Sequence, residues 1–143
     1  HPYSGLTMLH LEIVTPEKKI FSDTVDNVYL PSSEGEMGVL EMHAALVTPL
    51  EPGELRYLKD GENHELAVGE GFVEVTQEKV SVLCDLAIAG ADIDEEAVEK
   101  AMARAHEALE KAEHENAEDI AALQAVIAKS MAQLKVKRRH RKV

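Results

Sequence analysis

Apolar and polar residues alternate in short runs through the N-terminal two thirds of the chain. The clearest run is Leu9 to Val14, where apolar side chains at every second position are separated by His10 and Glu12. A period of two is typical of a strand with one buried and one solvated face. The run ends before Pro16, which cannot donate a hydrogen bond to a strand ladder.

Further runs with strand character follow, and turn signals such as Asp60-Gly61 separate them. They cover residues 25–30, 45–48, 54–58, 65–68, 71–75 and 80–86. Many short strands with closely spaced turns predict a β-sandwich or a flattened barrel made of two antiparallel sheets. The side chains predicted to share one face of its middle strands are Leu55, Tyr57, Leu66, Val68 and Phe72.

The pattern changes at Gly90, because all eight glycines and all five prolines of the chain lie at or before it. Residues 91–143 contain no helix breaker and are rich in Ala, which predicts helices. We therefore expect an α+β chain, with an N-terminal antiparallel β-sandwich followed by a C-terminal antiparallel two-helix hairpin. The sandwich domain is assigned to residues 8–90 and the hairpin with its basic tail to residues 91–143. Residues 1–7 are interpreted as a tag remnant or a disordered extension.

Cap signals and apolar stripes outline the two helices. Asp92 with Glu95, and Asn116 with Asp119, have the spacing of an N-cap and the third residue of a helix. One face of the first helix is marked by alanines at 97, 101, 105, 108 and 112. The second helix carries a narrow stripe of Ile120, Leu123, Ile127, Ser130 or Met131, and Leu134. Because a seam lined by Ala buries little apolar area, we expect the hairpin to open easily.

The net charge of −12 is distributed unevenly along the chain. The last nine residues hold six cations and no acid, and these cations are Lys135, Lys137, Arg138, Arg139, Arg141 and Lys142. Subtracting them leaves −18 for residues 1–134. A basic tail on an acidic body is interpreted either as a solvated, frayed terminus or as a contact for an acidic partner surface.

Composition and motif spacing argue against an enzyme, a nucleic-acid-binding protein and a membrane-spanning protein. His10, His43 and His64 lie on separate predicted elements, and the chain has no Gly-x-Ser-x-Gly elbow and no Walker-type phosphate loop. No aromatic residue is interleaved with the basic tail, and the acidic body would repel duplex nucleic acid. No run of 18 apolar residues is present, so none is expected to span a membrane.

The lone cysteine and one cluster of histidines are expected to have no chemical role. Cys84 alternates with Val80 and Val82, which predicts a small core residue, and a single cysteine indicates a reducing compartment. The side chains of His106, Glu110 and His114 share one helix face and could hold a divalent ion weakly. A solvated polar face is the favoured interpretation, so no metal is expected.

Residues 33–40 read Ser-Glu-Gly-Glu-Met-Gly-Val-Leu. Two glycines flanked by acids predict a sharp, exposed turn with outward-pointing carboxylates. This segment lies between predicted strands, and in sequence and position it resembles the corresponding segment of the epsilon subunits of the rotary F-type ATP synthase. Further matches to that family are Leu11–Pro16, Gly69–Val75, Val80–Leu83 and Gly90–Asp94, and the resemblance runs from Met8 to the end of the chain.

The resemblance implies a ten-stranded β-sandwich, a C-terminal helical hairpin and a non-catalytic rotor subunit of the central stalk. Such a subunit binds the gamma subunit and the ring of c subunits, and helps couple proton flow to ATP synthesis. In bacterial members the hairpin can also extend into the catalytic head of alpha and beta subunits and block ATP hydrolysis. The implied location is peripheral, on the cytoplasmic face of a bacterial cell membrane rather than on a thylakoid membrane, with membrane association only through the complex.

The resemblance also implies two contact surfaces. The first lies near the gamma subunit and the c-ring and comprises Glu34, Gly35, Glu36, Met37 and Gly38, with His43 close by. The second is the basic run from Lys135 to Lys142, which would meet an acidic segment of the beta subunit.

Some bacterial members bind ATP between the hairpin helices through an Ile/Leu-Asp-x-x-Arg-Ala motif and later arginines. The candidates for that role here are Asp94, Arg104 and Lys129, but Ala97 stands where the motif has Arg. Lys129 and Gln133 replace two later arginines, and Lys lacks the bidentate geometry of a guanidinium. The sequence therefore predicts weak or absent ATP binding and no cofactor. The alternative function is a stand-alone nucleotide-sensing module that binds ATP at the hairpin.

Overall fold

The part of the chain that the structure describes forms a β-sandwich of two five-stranded sheets followed by two helices. The structure is a computed structural model that describes residues 9–32, 35–39, 45–77, 79–111 and 116–141. The strands are β1 (Leu9–Val14), β2 (Lys19–Val25), β3 (Asn27–Ser32), β4 (Gly35–Val39), β5 (Leu46–Leu50), β6 (Gly53–Lys59), β7 (Glu62–Val68), β8 (Gly71–Val75), β9 (Lys79–Cys84) and β10 (Ala87–Ala89). The helices are α1 (Glu95–Lys111) and α2 (Ala117–Arg141), and a 3₁₀ turn at Gly90–Asp92 precedes α1.

One sheet, here called sheet A, has the strand order β2-β1-β9-β8-β5, and sheet B has the order β10-β7-β6-β3-β4. All neighbours in sheet B are antiparallel. In sheet A, β1 and β9 run parallel, from His10 opposite Lys79 to Val14 opposite Leu83. The expectation of purely antiparallel sheets is wrong for this pair, because alternation along a strand specifies its buried face but not the direction of its neighbour.

The sandwich core consists of alternate residues from facing strands. Leu55, Tyr57, Leu66 and Val68 are buried in it as predicted, and so is Cys84. Phe72 is 58% exposed, so its predicted place in the core is wrong. Its neighbour Val73 and the next alternate residue, Val75, point inward and occupy the core side of β8.

The described residues of the sandwich form the ten strands that the resemblance implied, but the apolar pattern did not predict three of them, namely β2, β4 and β10. The sharp turn expected at Gly35–Gly38 is instead an edge strand, in which Glu36 lies opposite Pro31 of β3. Gly35 alone among the residues of β4 has a positive φ, 106°, where glycine is favoured. Gly38 serves close packing, because a Cβ there would lie 3.2 Å from the ring of Tyr29.

The two helices begin at N-cap residues. Asp94 accepts a hydrogen bond from the N–H of Ala97 at 3.1 Å, so Asp94 caps α1. The prediction of Asp92 as the cap is wrong, because Asp92 belongs to the 3₁₀ turn. Asn116 accepts a hydrogen bond from the N–H of Asp119 at 2.9 Å, which confirms the predicted cap of α2.

The helices form an antiparallel hairpin that also packs on sheet B. Contact of Arg138, near the end of α2, with Glu95, at the start of α1, defines the antiparallel arrangement. A second apolar cluster lies between the helices and the outer face of sheet B and contains Ala67, Ile93, Val98, Ala132, Leu134 and Val136. Ser130 is buried and Met131 is 61% exposed, so Ser130 is the member of the apolar stripe. Helix α2 therefore buries two faces, one against α1 and one against sheet B.

Candidate functional site

The segment from Gly35 to Gly38 lies on β4, at the edge of sheet B. Glu36 is exposed, whereas Met37 is half-buried and packs against the sandwich core. Glu34 and His43, which the sequence places in the same candidate surface, lie outside the described residues. The described part of this surface is therefore an exposed strand edge and not a turn.

Glu36 is held by an arginine from the middle of sheet B. Both Nε and Nη2 of Arg56, on β6, donate to Glu36 Oε2, at 3.2 and 2.7 Å. The guanidinium also lies over the ring of Tyr29, 4.5 Å from its centroid. The hydrogen-bonded Glu36 carboxylate raises the pKa of Arg56, so the guanidinium is charged at any physiological pH.

The acidic side chain of Glu54 is buried beneath α2. Its side chain is 6% exposed, and its Oε1 accepts a hydrogen bond from Nη1 of Arg139. Nε of Arg56 lies 3.9 Å from the same oxygen. Burial raises the pKa of Glu54, the Arg139 charge acts against that rise, and the nearby Glu65 adds to it.

Arg139 belongs to the predicted basic run, and two of its neighbours in that run also contact the rest of the chain. Lys137 Nζ donates to the carbonyl oxygen of Gly90 at 3.2 Å. Arg138 lies 3.0 Å from Glu95 and 3.8 Å from Glu99, both on α1.

Lys135 is exposed, while the Arg141 side chain and Lys142 lie outside the described residues. The interpretation of the run as a frayed terminus is wrong for residues 136–139, because α2 continues through them and Val136 is fully buried.

The candidate ATP-binding residues lie in separate environments. Asp94 caps α1, and Lys129 pairs with Asp85 of the sandwich at 3.1 Å. Arg104 and Ala97 are both exposed on α1. Among the described residues, no hydrogen bond or ion pair joins Asp94, Arg104 and Lys129.

Histidines and acids do not cluster within the part of the chain that the structure describes. No group of three or more His, Cys, Asp or Glu side chains there could hold a metal ion. His106 and Glu110 are exposed on α1, and His114 lies outside the described residues.

An exposed apolar row crosses the outer face of sheet A and was not predicted. Pro49 of β5 lies opposite Phe72 of β8, Phe72 opposite Leu83 of β9, and Leu83 opposite Val14 of β1. Phe72 and Leu83 are 58% and 54% exposed. The sequence did contain a signal for this row. Phe72 alternates with Val73, and Leu83 alternates with its buried neighbours, so both are expected on the outer face of the sheet. The row lies on the side of the sandwich opposite to the hairpin.

A groove of about 960 Å³ lies where β2, β7 and β10 approach the end of α2. Phe21, Tyr57 and His64 line it as a row of rings. The rings of Tyr57 and His64 are stacked with centroids 4.8 Å apart, and the ring of Phe21 is tilted against Tyr57 with centroids 4.6 Å apart. Val136 and His140 of α2 contribute to its wall.

Comparisons with known proteins cover both the sandwich and the hairpin. The family model described as ATP synthase, Delta/Epsilon chain, beta-sandwich domain matches residues 8–90. The ATP synthase epsilon chain of Chloroflexus aggregans is 41% identical over 133 residues, which cover 93% of this chain and 94% of that protein. The epsilon chain of Nitrosococcus oceani is 42% identical over 135 residues, which cover 94% of this chain and 95% of that protein.

A solved structure shares the fold. A chain of the Euglena gracilis mitochondrial ATP synthase superposes with a TM-score of 0.73 at 23% identity, covering 90% of this chain and 80% of that chain. No helix in the described ranges is long and apolar enough to cross a membrane.

Proposed function

The chain belongs to the ATP synthase epsilon chain family, and from this premise we propose that it works as a non-catalytic rotor subunit of an F-type ATP synthase. The observation that carries the proposal is that similarity to epsilon chains extends over 93% of the chain, so it includes both the sandwich and the hairpin. The sandwich anchors the subunit in the central stalk. The hairpin restrains ATP hydrolysis, so that the complex favours synthesis.

The partners proposed for the sandwich are the gamma subunit and the c-ring. The apolar row of Pro49, Phe72, Leu83 and Val14 supports a protein contact, because exposed apolar patches of this kind mark interaction sites. It lies opposite the hairpin, so a partner held there leaves the hairpin free to move. The exposed β4 edge is the second proposed contact. Through these partners the chain lies at the cytoplasmic face of the cell membrane, with no membrane contact of its own.

The proposed inhibitory state needs the hairpin to leave sheet B and contact the alpha and beta subunits. In the docked state, Lys137, Arg138 and Arg139 are bound to oxygen atoms of this chain. When the hairpin extends, these three side chains would leave the oxygen atoms of this chain and contact an acidic segment of the beta subunit. Because an exposed ion pair contributes only about 0.2–1 kcal/mol, loss of the Arg138–Glu99 pair costs little. Release of Arg139 costs more, because it leaves the buried Glu54 carboxylate without its main cation.

Deleting residues 135–143 tests the proposed inhibition. We expect higher ATP hydrolysis by the complex assembled with the shortened chain than with the full chain, and the rate of ATP hydrolysis is the measurement. A chain with Glu118→Gln, an exposed change at the opposite end of α2, serves as the control. Equal hydrolysis by the full-length and shortened complexes across a range of ionic strengths would overturn the inhibitory role.

We further propose that ATP is at most a weak effector of this chain. Ala97 replaces the arginine of the motif, Asp94 is engaged as a helix cap, and Lys129 is paired with Asp85. We expect isothermal titration of the isolated chain with ATP to give no heat of binding at micromolar concentrations. As a matched variant, Ala97→Arg restores the motif residue at an exposed position, and we expect it to bind ATP more tightly. Micromolar affinity of the unaltered chain would contradict the proposal and favour the nucleotide-sensing alternative.

A further inference from the structure

Four charged side chains of alternating sign connect the β4 edge to the end of α2. Glu36 lies on β4, Arg56 and Glu54 lie on β6, and Arg139 lies on α2. Arg56 contacts Glu36 at 2.7 Å and Glu54 at 3.9 Å, and Glu54 accepts a hydrogen bond from Arg139. We call this set the ionic relay.

The relay has a buried centre and exposed ends. The Glu54 side chain is 6% exposed, whereas those of Glu36 and Arg139 are 49% and 43% exposed. Oε2 of Glu54 has no hydrogen-bond partner among the described residues. A buried carboxylate without a compensating cation is strongly destabilising, so Glu54 depends on its two arginines.

The two arginines are not equivalent in the docked state. Arg56 directs two hydrogen bonds to Glu36, and its contact with Glu54 is longer than a hydrogen bond. Arg139 is therefore the main partner of Glu54. If Glu36 no longer held Arg56, the guanidinium could turn toward Glu54 and take over part of that role.

We propose that the ionic relay couples the charge of Glu36 at the β4 edge to the docking of the C-terminal end of α2. When Glu36 is engaged elsewhere or loses its charge, Arg56 pairs with Glu54, and Arg139 is held less firmly. The end of α2 then leaves sheet B more often. The coupling deepens the proposed function and rests on it for its consequence, because it would link the β4 contact to release of the hairpin.

Amide hydrogen exchange of the isolated full-length chain tests the coupling. We expect Glu36→Gln to increase the exchange of amides in residues 136–140 about threefold or more, which is the range of coupling between residues in one network. In an Arg56→Met background, the same Glu36→Gln change is expected to have no effect. Glu74→Gln on the exposed side of β8 removes the same charge away from the relay and is the matched control.

Two results would overturn the relay. The first is an effect of Glu36→Gln no larger than that of Glu74→Gln. The second is a Glu36→Gln effect that persists in the Arg56→Met background. The exchange of the β4 amides is followed in the same samples. Local fraying of β4 would raise the exchange of these amides as well, whereas loss of the ionic relay alone would not. Either result would leave the proposed inhibition of hydrolysis untouched, because that is measured in the assembled complex.

Discussion

At the scale of single residues, Cys84 illustrates how packing sets chemistry. It lies on the inner face of β9 with 6% of its surface exposed. Burial raises the pKa of its thiol from 9.0 to about 11, because the thiolate would lose its hydration between the sheets. The unfolded chain therefore releases this proton at lower pH than the folded chain does. It follows that the contribution of Cys84 to stability is complete below pH 9 and decreases as the pH rises toward 11.

We predict that the Cys84 thiol is inert in the folded chain. At pH 8 a disulfide reagent such as DTNB should react rapidly in guanidinium chloride and at least tenfold more slowly in native buffer, because the thiolate is the reactive form. The absorbance of the released thiolate is the measurement. A Cys84→Ala chain with Leu83→Cys moves the thiol to the adjacent exposed position and should react rapidly in both conditions. Equal native rates for the two chains would contradict the prediction.

Two other residues show where reasoning from residue type fails. Glu54 carries a charged side chain, yet it is buried, because α2 covers the outer face of sheet B on which Glu54 lies. Phe72 was expected inside, yet it lies on the uncovered face of sheet A. Alternation along a strand predicts which residues share a face. It does not predict which outer face another element will cover, so both environments depend on tertiary packing.

At the scale of elements, the helix starts depend on short polar side chains. The sequence predicted the cap of α2 correctly and placed the cap of α1 two residues too early. Ile93 explains the difference, since it is 3% exposed and joins the second apolar cluster between the 3₁₀ turn and α1. Burial of Ile93 fixes the path of the chain, and Asp94 then becomes the first residue able to cap the helix.

We predict that Asn116→Ala destabilises α2. The change removes the acceptor for the Asp119 N–H, and loss of an N-cap of this kind costs about 0.5–2 kcal/mol. Urea unfolding followed by circular dichroism measures the effect as a lower midpoint. Asn116→Ser keeps an oxygen acceptor at the same position, so its midpoint should stay close to that of the unaltered chain. Equal midpoints for Asn116→Ala and the unaltered chain would show that the cap does not contribute.

At the scale of the whole molecule, the order of the two parts could be predicted from the sequence, whereas their contact could not. The loss of Gly and Pro after Gly90 is a local signal, and it indicated helices after strands. The predicted apolar stripe of α2 did not include Ala132 and Val136, although both are buried in the cluster that contains Ala67 of sheet B. The uneven charge predicted the basic tail as one contact surface, and the resemblance supplied the other surface and the partners of both. The ionic relay required side-chain positions from three elements, β4, β6 and α2.

The parallel pairing of β1 with β9 has a consequence for how the chain is made. Leu9–Val14 is synthesised first among the described strands, but one of its two edges pairs with Lys79–Cys84. Until that strand leaves the ribosome, β1 can pair only with β2, and a two-stranded hairpin is marginally stable in water. Sheet A is therefore completed only after almost all of the sandwich has been translated. The helices are translated after every strand of sheet B, so the outer face on which they pack can form before they leave the ribosome.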